Sequence, residues 1–261
     1  MSAAALTRAR KLLRPRTRRE SGHFLAEGVH VIAAALDAGL APREAFLAPD
    51  IATVDATTLA SRLRGAGVAV HEIDARALRE IAETETPQGV VAVCAEPRAP
   101  AAPFAQPGAW LLLDRVQDPG NAGTLVRAAE AFGARGVLAR TGTVDLWGGK
   151  TLRAGQGAHF HVALAQESAE WTCGAWLDAL AAAGGELWAA DAAGESIYAA
   201  PRPPARVVLA LGNEGAGLAP ELLACATRRV AVPQRGRTDS LNVALAGAVL
   251  LSWITSGAAP R

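Results

Sequence analysis

The chain has 261 residues, 51% of them hydrophobic, with 26 Lys and Arg against 25 Asp and Glu for a net charge of +1. That is enough for one or two domains with a real apolar core, and the longest apolar run, near the C-terminus, is too short to span a membrane. A balanced net charge argues nothing about nucleic acid, so the distribution of charge carries the information.

Positive charge is concentrated at the start. Arg8, Arg10, Lys11, Arg14, Arg16, Arg18 and Arg19 fall within residues 8–19 with no acid among them. Such a run predicts a basic arm over residues 1–20 that attracts phosphates whatever their sequence. Arg suits this better than Lys because its planar fork binds oxyanions bidentately. The three cysteines, Cys94, Cys173 and Cys225, are odd in number and widely spaced, which fits neither a disulfide frame nor a metal site and predicts a reducing cytoplasm. No apolar stretch follows the basic start, so no secretory signal is expected.

In chain order, a helix is predicted over 3–13, ended by Arg14-Pro15-Arg16. A strand over 24–27 leads into a helix over 29–38 that stops at Gly39. A strand over 45–48, a helix over 57–64 capped at Asp55, a strand over 68–73, a helix over 75–82 and a strand over 90–94 complete an alternating α/β domain over 21–95. Residues 96–108 hold Pro97, Pro100, Pro103 and Pro107 among Ala, Gln and Gly, the composition of a linker.

A second domain, 109–261, opens with a strand over 110–113. A polar turn over 114–123 precedes a helix over 124–132. Strands follow over 136–139, 160–164, 186–190, 207–211 and 230–232, with a short helix over 150–156 and further helices starting near Thr172 and Pro220. The apolar run 241–254 predicts a core helix with its N-terminus at Ser240. It has too little polar surface for a solvated helix, so a second copy of the chain is expected to cover part of it. Strand–helix alternation favours a mostly parallel sheet that binds ligands beyond the C-terminal strand ends. On strand counting alone that sheet would be unknotted.

Three stretches carry candidate chemistry. Gly212-Asn-Glu-Gly-Ala-Gly217 follows a buried strand, where glycines let a ligand approach the backbone. Its G-x-x-G-x-G spacing is not the dinucleotide fingerprint, and no P-loop spacing occurs. His159 and His161 alternate along a predicted strand, where a core or surface role is expected. Ser240 lacks the G-x-S-x-G elbow of a hydrolase. Asn121 and Arg127 lie less than two helical turns apart; Arg127 is expected either on a solvated helix face or, given its apolar neighbours in sequence, as a semi-buried guanidinium with an anionic partner.

Taken together, Asp114-Arg-Val-Gln-Asp-Pro-Gly-Asn121-Ala-Gly-Thr-Leu-Val-Arg127, Leu211-Gly-Asn-Glu-Gly-Ala-Gly-Leu218 and Val232-Pro-Gln-Arg-Gly-Arg-Thr-Asp-Ser240-Leu-Asn242-Val resemble the three motifs of the SpoU/TrmH family of RNA ribose 2′-O-methyltransferases, in the SPOUT superfamily. The resemblance covers 109–255. It extends more weakly to Arg18–Gly28 and Thr86–Val93, which look like the ribosomal-protein-like substrate-binding domain of two-domain members of the thiostrepton-resistance type. Two departures stand out: Ala128 replaces a common Thr, and Arg153-Ala-Gly-Gln-Gly replaces Arg-Ala-Ser-x-Gly.

The resemblance implies a trefoil-knotted C-terminal methyltransferase domain, S-adenosylmethionine as cofactor, no metal, and a homodimer through the knotted domain. It implies catalytic roles for Arg127, Asn121, Glu214, Ser240 and Asn242. The cofactor is expected against Leu211, Gly212, Asn213, Gly217, Val232, Pro233, Ser240 and Leu241. RNA is expected against the basic arm, Lys150 and Arg153. The expected reaction is methylation of a ribose 2′-hydroxyl in structured RNA, large-subunit ribosomal RNA rather than tRNA. The alternatives are a tRNA enzyme, a non-catalytic RNA-binding or ribosome-assembly protein on the same fold, and a base methyltransferase.

Overall fold

The computed structural model describes residues 3–169, 171–236 and 240–257. The chain forms two compact units. One runs from the N-terminus to Arg98 and includes Asp145–His161; the other holds Ala99–Val144 and the chain from Val162 onward.

The first unit is built on a four-stranded sheet. Its elements are helices α1 (Ala3–Lys11) and α2 (Pro15–Ser21), strand β1 (His23–Glu27), α3 (Val29–Asp37), β2 (Glu44–Leu47), α4 (Val54–Gly65), β3 (Ala69–Glu72), α5 (Ala75–Arg79) and β4 (Val90–Ala95). The strand order is β1-β4-β2-β3. β4 is antiparallel to both neighbours, with Phe24 opposite Cys94 and Phe46 opposite Val91. β2 and β3 are parallel.

The basic arm is not a free arm. Ala5, Ala9 and Leu12 recur at helical spacing and are buried in one cluster with Leu25, Phe46, Leu78, Ile81 and Val91. Pro15 does not simply end a helix: it opens α2 at its first turn, where its missing N–H costs nothing. α4 starts earlier than predicted because Thr53, not Asp55, caps it by accepting from Ala56 N at 3.1 Å.

Residues 145–161, from the stretch expected as the second domain, group with this first unit in the packing of the chain. They form α7 (Gly149–Gly155) and a 3-10 turn over Ala158–Phe160. Trp147 stacks on Phe24 with ring centroids 4.8 Å apart, and Phe160 stacks on Phe24 at 6.3 Å. His159 is buried beside Trp147, in a turn and not in a strand.

The second unit is a six-stranded sheet in the order β10-β8-β9-β5-β6-β7, parallel throughout. Its strands are β5 (Gly108–Leu113), β6 (Gly136–Ala139), β7 (Ala163–Gln166), β8 (Glu186–Ser196), β9 (Arg206–Leu211) and β10 (Arg228–Ala231); its helices are α6 (Pro119–Ala131), α8 (Cys173–Ala182), α9 (Pro220–Cys225) and α10 (Val243–Thr255). A parallel sheet needs cover on both faces. Trp110, Leu112, Trp176, Leu180, Val208 and Leu222 form the core of one face. On the other, a Cβ added at Gly247 of α10 would lie 2.5 Å from Leu125 of α6 and 2.8 Å from Leu211 of β9, so the glycine permits close helix packing.

The expected linker is partly tied down: Phe104 is buried against Trp110, and its carbonyl accepts from Arg206 Nε at 2.8 Å. Three element boundaries also move. α6 begins at Pro119, inside the predicted turn, because Asp118 caps it and proline suits the first helical position. β7 lies three residues later than predicted, and α10 begins after Asn242, which caps it, rather than at Ser240.

Candidate active site

The glycine loop after Leu211 lies at the C-terminal ends of the paired strands β5 and β9, where Leu113 stands opposite Leu211. Asn213 shapes that loop. Its backbone exchanges two hydrogen bonds with Gly217, at 3.1 and 2.9 Å. Its side-chain oxygen accepts from Gly215 N and Ala216 N, and its amide donates to Arg115 O at 3.0 Å. A Cβ at Gly212 would lie 2.3 Å from the carbonyl carbon of Gly217 and 2.4 Å from Leu218 N. Glycine is therefore required at 212 by the loop's own backbone, not in the first place by a ligand.

The loop is fastened to the turn after β5. Asp114, fully buried, accepts from Ala219 N at 2.7 Å and from Arg140 at 2.9 Å, and Arg115 reaches its second oxygen at 3.3 Å. Arg115 holds a left-handed φ of 57°, unusual for a long side chain. That conformation turns its carbonyl to Asn213 while its guanidinium lies 3.5 Å from Gly217 O.

Three predicted residues meet in one relay. Asn242 Oδ1 accepts from Ala244 N and Leu245 N at the start of α10, at 2.9 and 3.2 Å. Its amide nitrogen must then point outward, and it donates to Asn121 Oδ1 at 2.9 Å. Asn121 Nδ2 in turn donates to Glu214 Oε1 at 2.9 Å. Backbone donors at one end and a carboxylate acceptor at the other fix the orientation of both amides. Asn121 is itself held by Asp118, which accepts from its N–H at 2.7 Å.

A cavity of about 310 Å³ opens beside the relay. Leu211, Gly212, Asn213, Gly217, Val232, Ser240 and Leu241, all predicted for the cofactor, line it, as do Glu214 and Asn242; Pro233 does not. Arg237, Thr238 and Asp239 of the third motif lie outside the described residues. Asp191, in β8 just past the stretch paired with β9, lines the same cavity and was missed. The rule that ligands sit beyond the C-terminal ends of parallel strands could have found it. Two carboxylates, Asp191 and Glu214, beside the apolar Leu211, Val230, Leu241 and Leu250 suit a ligand that joins cationic groups to a flat ring.

Arg127 departs from expectation. It is exposed on α6 and has no hydrogen bond or ion pair among the described residues. The helix buries Ala122, Leu125, Val126, Ala128 and Ala129; at 100° per residue, apolar neighbours in sequence do not share the face of Arg127. Several predicted RNA contacts are engaged within the first unit. Arg18 is buried, bonded to Leu12 O, Leu13 O and Asp145. Arg153 pairs with Glu27 at 3.4 Å and Glu83 at 3.7 Å. Arg8 pairs with Glu44, Arg10 with Glu80, and Arg16 with Glu20. Lys11, Arg14, Arg19 and Lys150 are exposed.

Among the described residues no helix is long and apolar enough to cross a membrane, and no group of His, Cys, Asp and Glu could hold a metal ion.

The chain is similar to known proteins. The SpoU rRNA Methylase family matches residues 108–252, and an MRM3-like substrate binding domain matches residues 5–92. The Bacillus subtilis 23S rRNA (guanosine(2553)-2'-O)-methyltransferase RlmP is 34% identical over 242 residues, covering 93% of this chain and 92% of its own. The AdoMet-bound rRNA methyltransferase of Sinorhizobium meliloti superposes with a TM-score of 0.84 at 29% identity, over 99% of this chain and 96% of the other. The SpoU methyltransferase AviRb of Streptomyces viridochromogenes, in complex with AdoMet, does so with a TM-score of 0.84 at 26% identity, over 98% of each chain. The expected knotted SPOUT fold, rather than the unknotted sheet of strand counting, is thereby established for the second unit, as is S-adenosylmethionine as cofactor. With the family match spanning more than half its length and the motif residues gathered at one cavity, this chain belongs to the SpoU family and is an S-adenosylmethionine-dependent RNA 2′-O-methyltransferase.

Proposed function

We propose that the enzyme methylates a ribose 2′-hydroxyl of 23S ribosomal RNA, with the relay Glu214–Asn121–Asn242 at the reacting centre. The observation that carries this reading is the relay itself, which joins all three motifs beside the cofactor cavity. S-adenosylmethionine supplies an electrophilic methyl group on a sulfonium that leaves as a neutral thioether. The chain's residues supply alignment. Glu214, Asn121, Ser240 and Asn242 orient the ribose at the cavity mouth, and the walls at Leu211, Gly212, Gly217, Val232 and Leu241 hold the cofactor.

Arg127, exposed and without a partner among the described residues, is free to receive the phosphate beside the target ribose. A guanidinium hardly ever deprotonates, so its part is to hold that phosphate and stabilise the developing alkoxide as the hydroxyl proton passes to solvent water. The preference for 23S over tRNA is supported by the Bacillus subtilis relative, which acts on 23S rRNA. The first unit binds the substrate RNA, in keeping with its match to a substrate-binding domain.

A homodimer completes the reading. Leu241, Leu245 and Val249 are 36%, 60% and 36% exposed, and their spacing of four sets them on one side of the C-terminal helix and its approach. A second copy meeting that side about a two-fold axis would cover it. Free Cys94, Cys173 and Cys225 are in keeping with work in a reducing cytoplasm.

Mapping 2′-O-methyl sites on ribosomal RNA and tRNA from cells with and without the gene tests the assignment. Loss of one site in 23S rRNA is the expected result. Loss confined to tRNA would overturn it.

A further inference from the structure

A notch of about 180 Å³ lies in the first unit, where α1 and α2 cross one end of its sheet. The register places His23, Val93 and Glu44 together there, at the start of β1, late in β4 and at the start of β2. Buried Ala9, Leu12 and Val93 provide an apolar floor. The rim is cationic: Arg8, Lys11 and Arg43. The one acid on it, Glu44, is already engaged by Arg8 at 3.4 Å and by His71 at 3.0 Å. Lys11 and Arg43 are exposed and have no carboxylate partner among the described residues.

Polar groups also edge the floor. His23 donates from Nδ1 to Ser21 O at 2.7 Å, which leaves Nε2 without a partner among the described residues. The hydroxyls of Thr17 and Ser21 lie on the same rim. The notch is smaller than the ~300–1,000 Å³ of sites that enclose a whole drug-sized ligand, so it suits a single ring system. An apolar floor, edge donors and acceptors, and free cations outside match one ligand chemistry: a nucleobase with its flanking phosphates. RNA-binding proteins take up single-stranded bases in this way, because an unstacked base exposes both its faces and its edges.

We propose that this notch captures one unpaired base of the substrate RNA, with Lys11 and Arg43 on the adjoining phosphates. The proposal rests on RNA being the substrate and not on which RNA is methylated. It assigns Lys11 of the first helix, with Arg43, to a defined subsite, whereas Arg18, buried on Asp145, serves the fold.

The test measures binding of a twelve-nucleotide oligouridylate, and of a duplex of equal length, by fluorescence anisotropy across a salt series. The double variant K11A/R43A should weaken single-strand binding about tenfold. It should also reduce the log–log salt slope by about 1.4, since each single-strand phosphate contributes about 0.7. Thr17→Trp, which fills the notch, should weaken the single strand several-fold while leaving slope and duplex binding unchanged. Uridine monophosphate should compete better than inorganic phosphate. Thermal midpoint and S-adenosylmethionine affinity report whether each variant is folded. Should Thr17→Trp misfold, K11A/R43A, at two exposed positions, together with the competition decides. Native single-strand binding by K11A/R43A, or equal competition by inorganic phosphate, would overturn the proposal. Neither result bears on whether 23S rRNA or tRNA is the target, which the methylation map decides separately.

Discussion

Asn121→Asp is the sharpest perturbation of the relay. The substitution keeps the shape of the side chain and its acceptor for Asn242, but replaces the amide that donates to Glu214 at 2.9 Å with a carboxylate oxygen. A hydrogen bond to a charged acceptor is worth about 1.5–3 kcal/mol, and the variant also sets two carboxylates against each other. Together these should lower kcat/KM at pH 8 by ~10- to 100-fold or more, at about 1.4 kcal/mol per tenfold. Two carboxylates in contact share a proton as pH falls, because both cannot stay ionised cheaply. Once protonated, the introduced carboxyl regains a donor toward Glu214, so activity should partly recover toward pH 5.5. Asn121→Ala should lose activity without recovering it. Methyl transfer from labelled S-adenosylmethionine at several pH values reads this out. A pH profile for Asn121→Asp parallel to that of the native enzyme would refute the relay as a functional unit.

Arg127→Ala should lower methyl transfer by ~100- to 1,000-fold, the scale of losing one donor to a developing oxyanion, with cofactor affinity within a few-fold by calorimetry. Gly212→Val should weaken cofactor binding and lower the thermal midpoint together, because its Cβ would meet the Gly217 and Leu218 backbone; an unchanged midpoint would show that the loop can yield. Leu245→Glu with Val249→Glu should produce a monomer at micromolar concentration in sedimentation. Burial pushes His159 from 6.5 down to about 4, so folding binds fewer protons there. Its share of stability is whole above about pH 6.5 and is lost as pH falls toward 4, at most about 3.5 kcal/mol from ~1.4 kcal/mol per pK unit. His159→Phe should flatten that acid limb in denaturant titrations.

Most elements were legible because they repeat a local signal: short apolar runs opened by glycine for β5 and β6 and closed by glycine for β9, and proline or a small polar cap at helix starts. The misses have physical causes. Charge dominated the reading of residues 8–19, although Ala5, Ala9 and Leu12 carry a helical apolar stripe beneath it. Four of its seven cations find acids, and Glu44, Glu80 and Asp145 lie far along the chain, where no local pattern could reveal the pairing. Deleting that segment would consequently remove core as well as charge, so substitution at Lys11, Arg14 and Arg19 is the cleaner probe of phosphate contact. Trp147 stacks on Phe24, again a contact without local signature. The relay residues were reached through the family resemblance. What the resemblance could not supply was their order of hydrogen bonding, or the use of Asp114 and Arg115 to hold the glycine loop.

That order has a consequence for how the site works. Every polar group of the relay is oriented by atoms of the protein: Asn242 by two backbone amides, Asn121 by Asn242 and Glu214, and the Glu214 loop by Asn213 and the buried Asp114. Preoriented dipoles need no reorganisation when charge develops, which is where such groups gain most over water. Arg127 is the exception, an exposed cation at the same helix with no protein partner among the described residues. In the proposed role its geometry is completed by the RNA. A phosphate can order Arg127 only when RNA arrives, so cofactor alone should leave its side chain mobile while RNA should fix it. Relaxation measurements on the Arg127 Nε–H, with cofactor and then with RNA, separate the two: ordering by S-adenosylmethionine alone would place Arg127 on the cofactor side of the reaction.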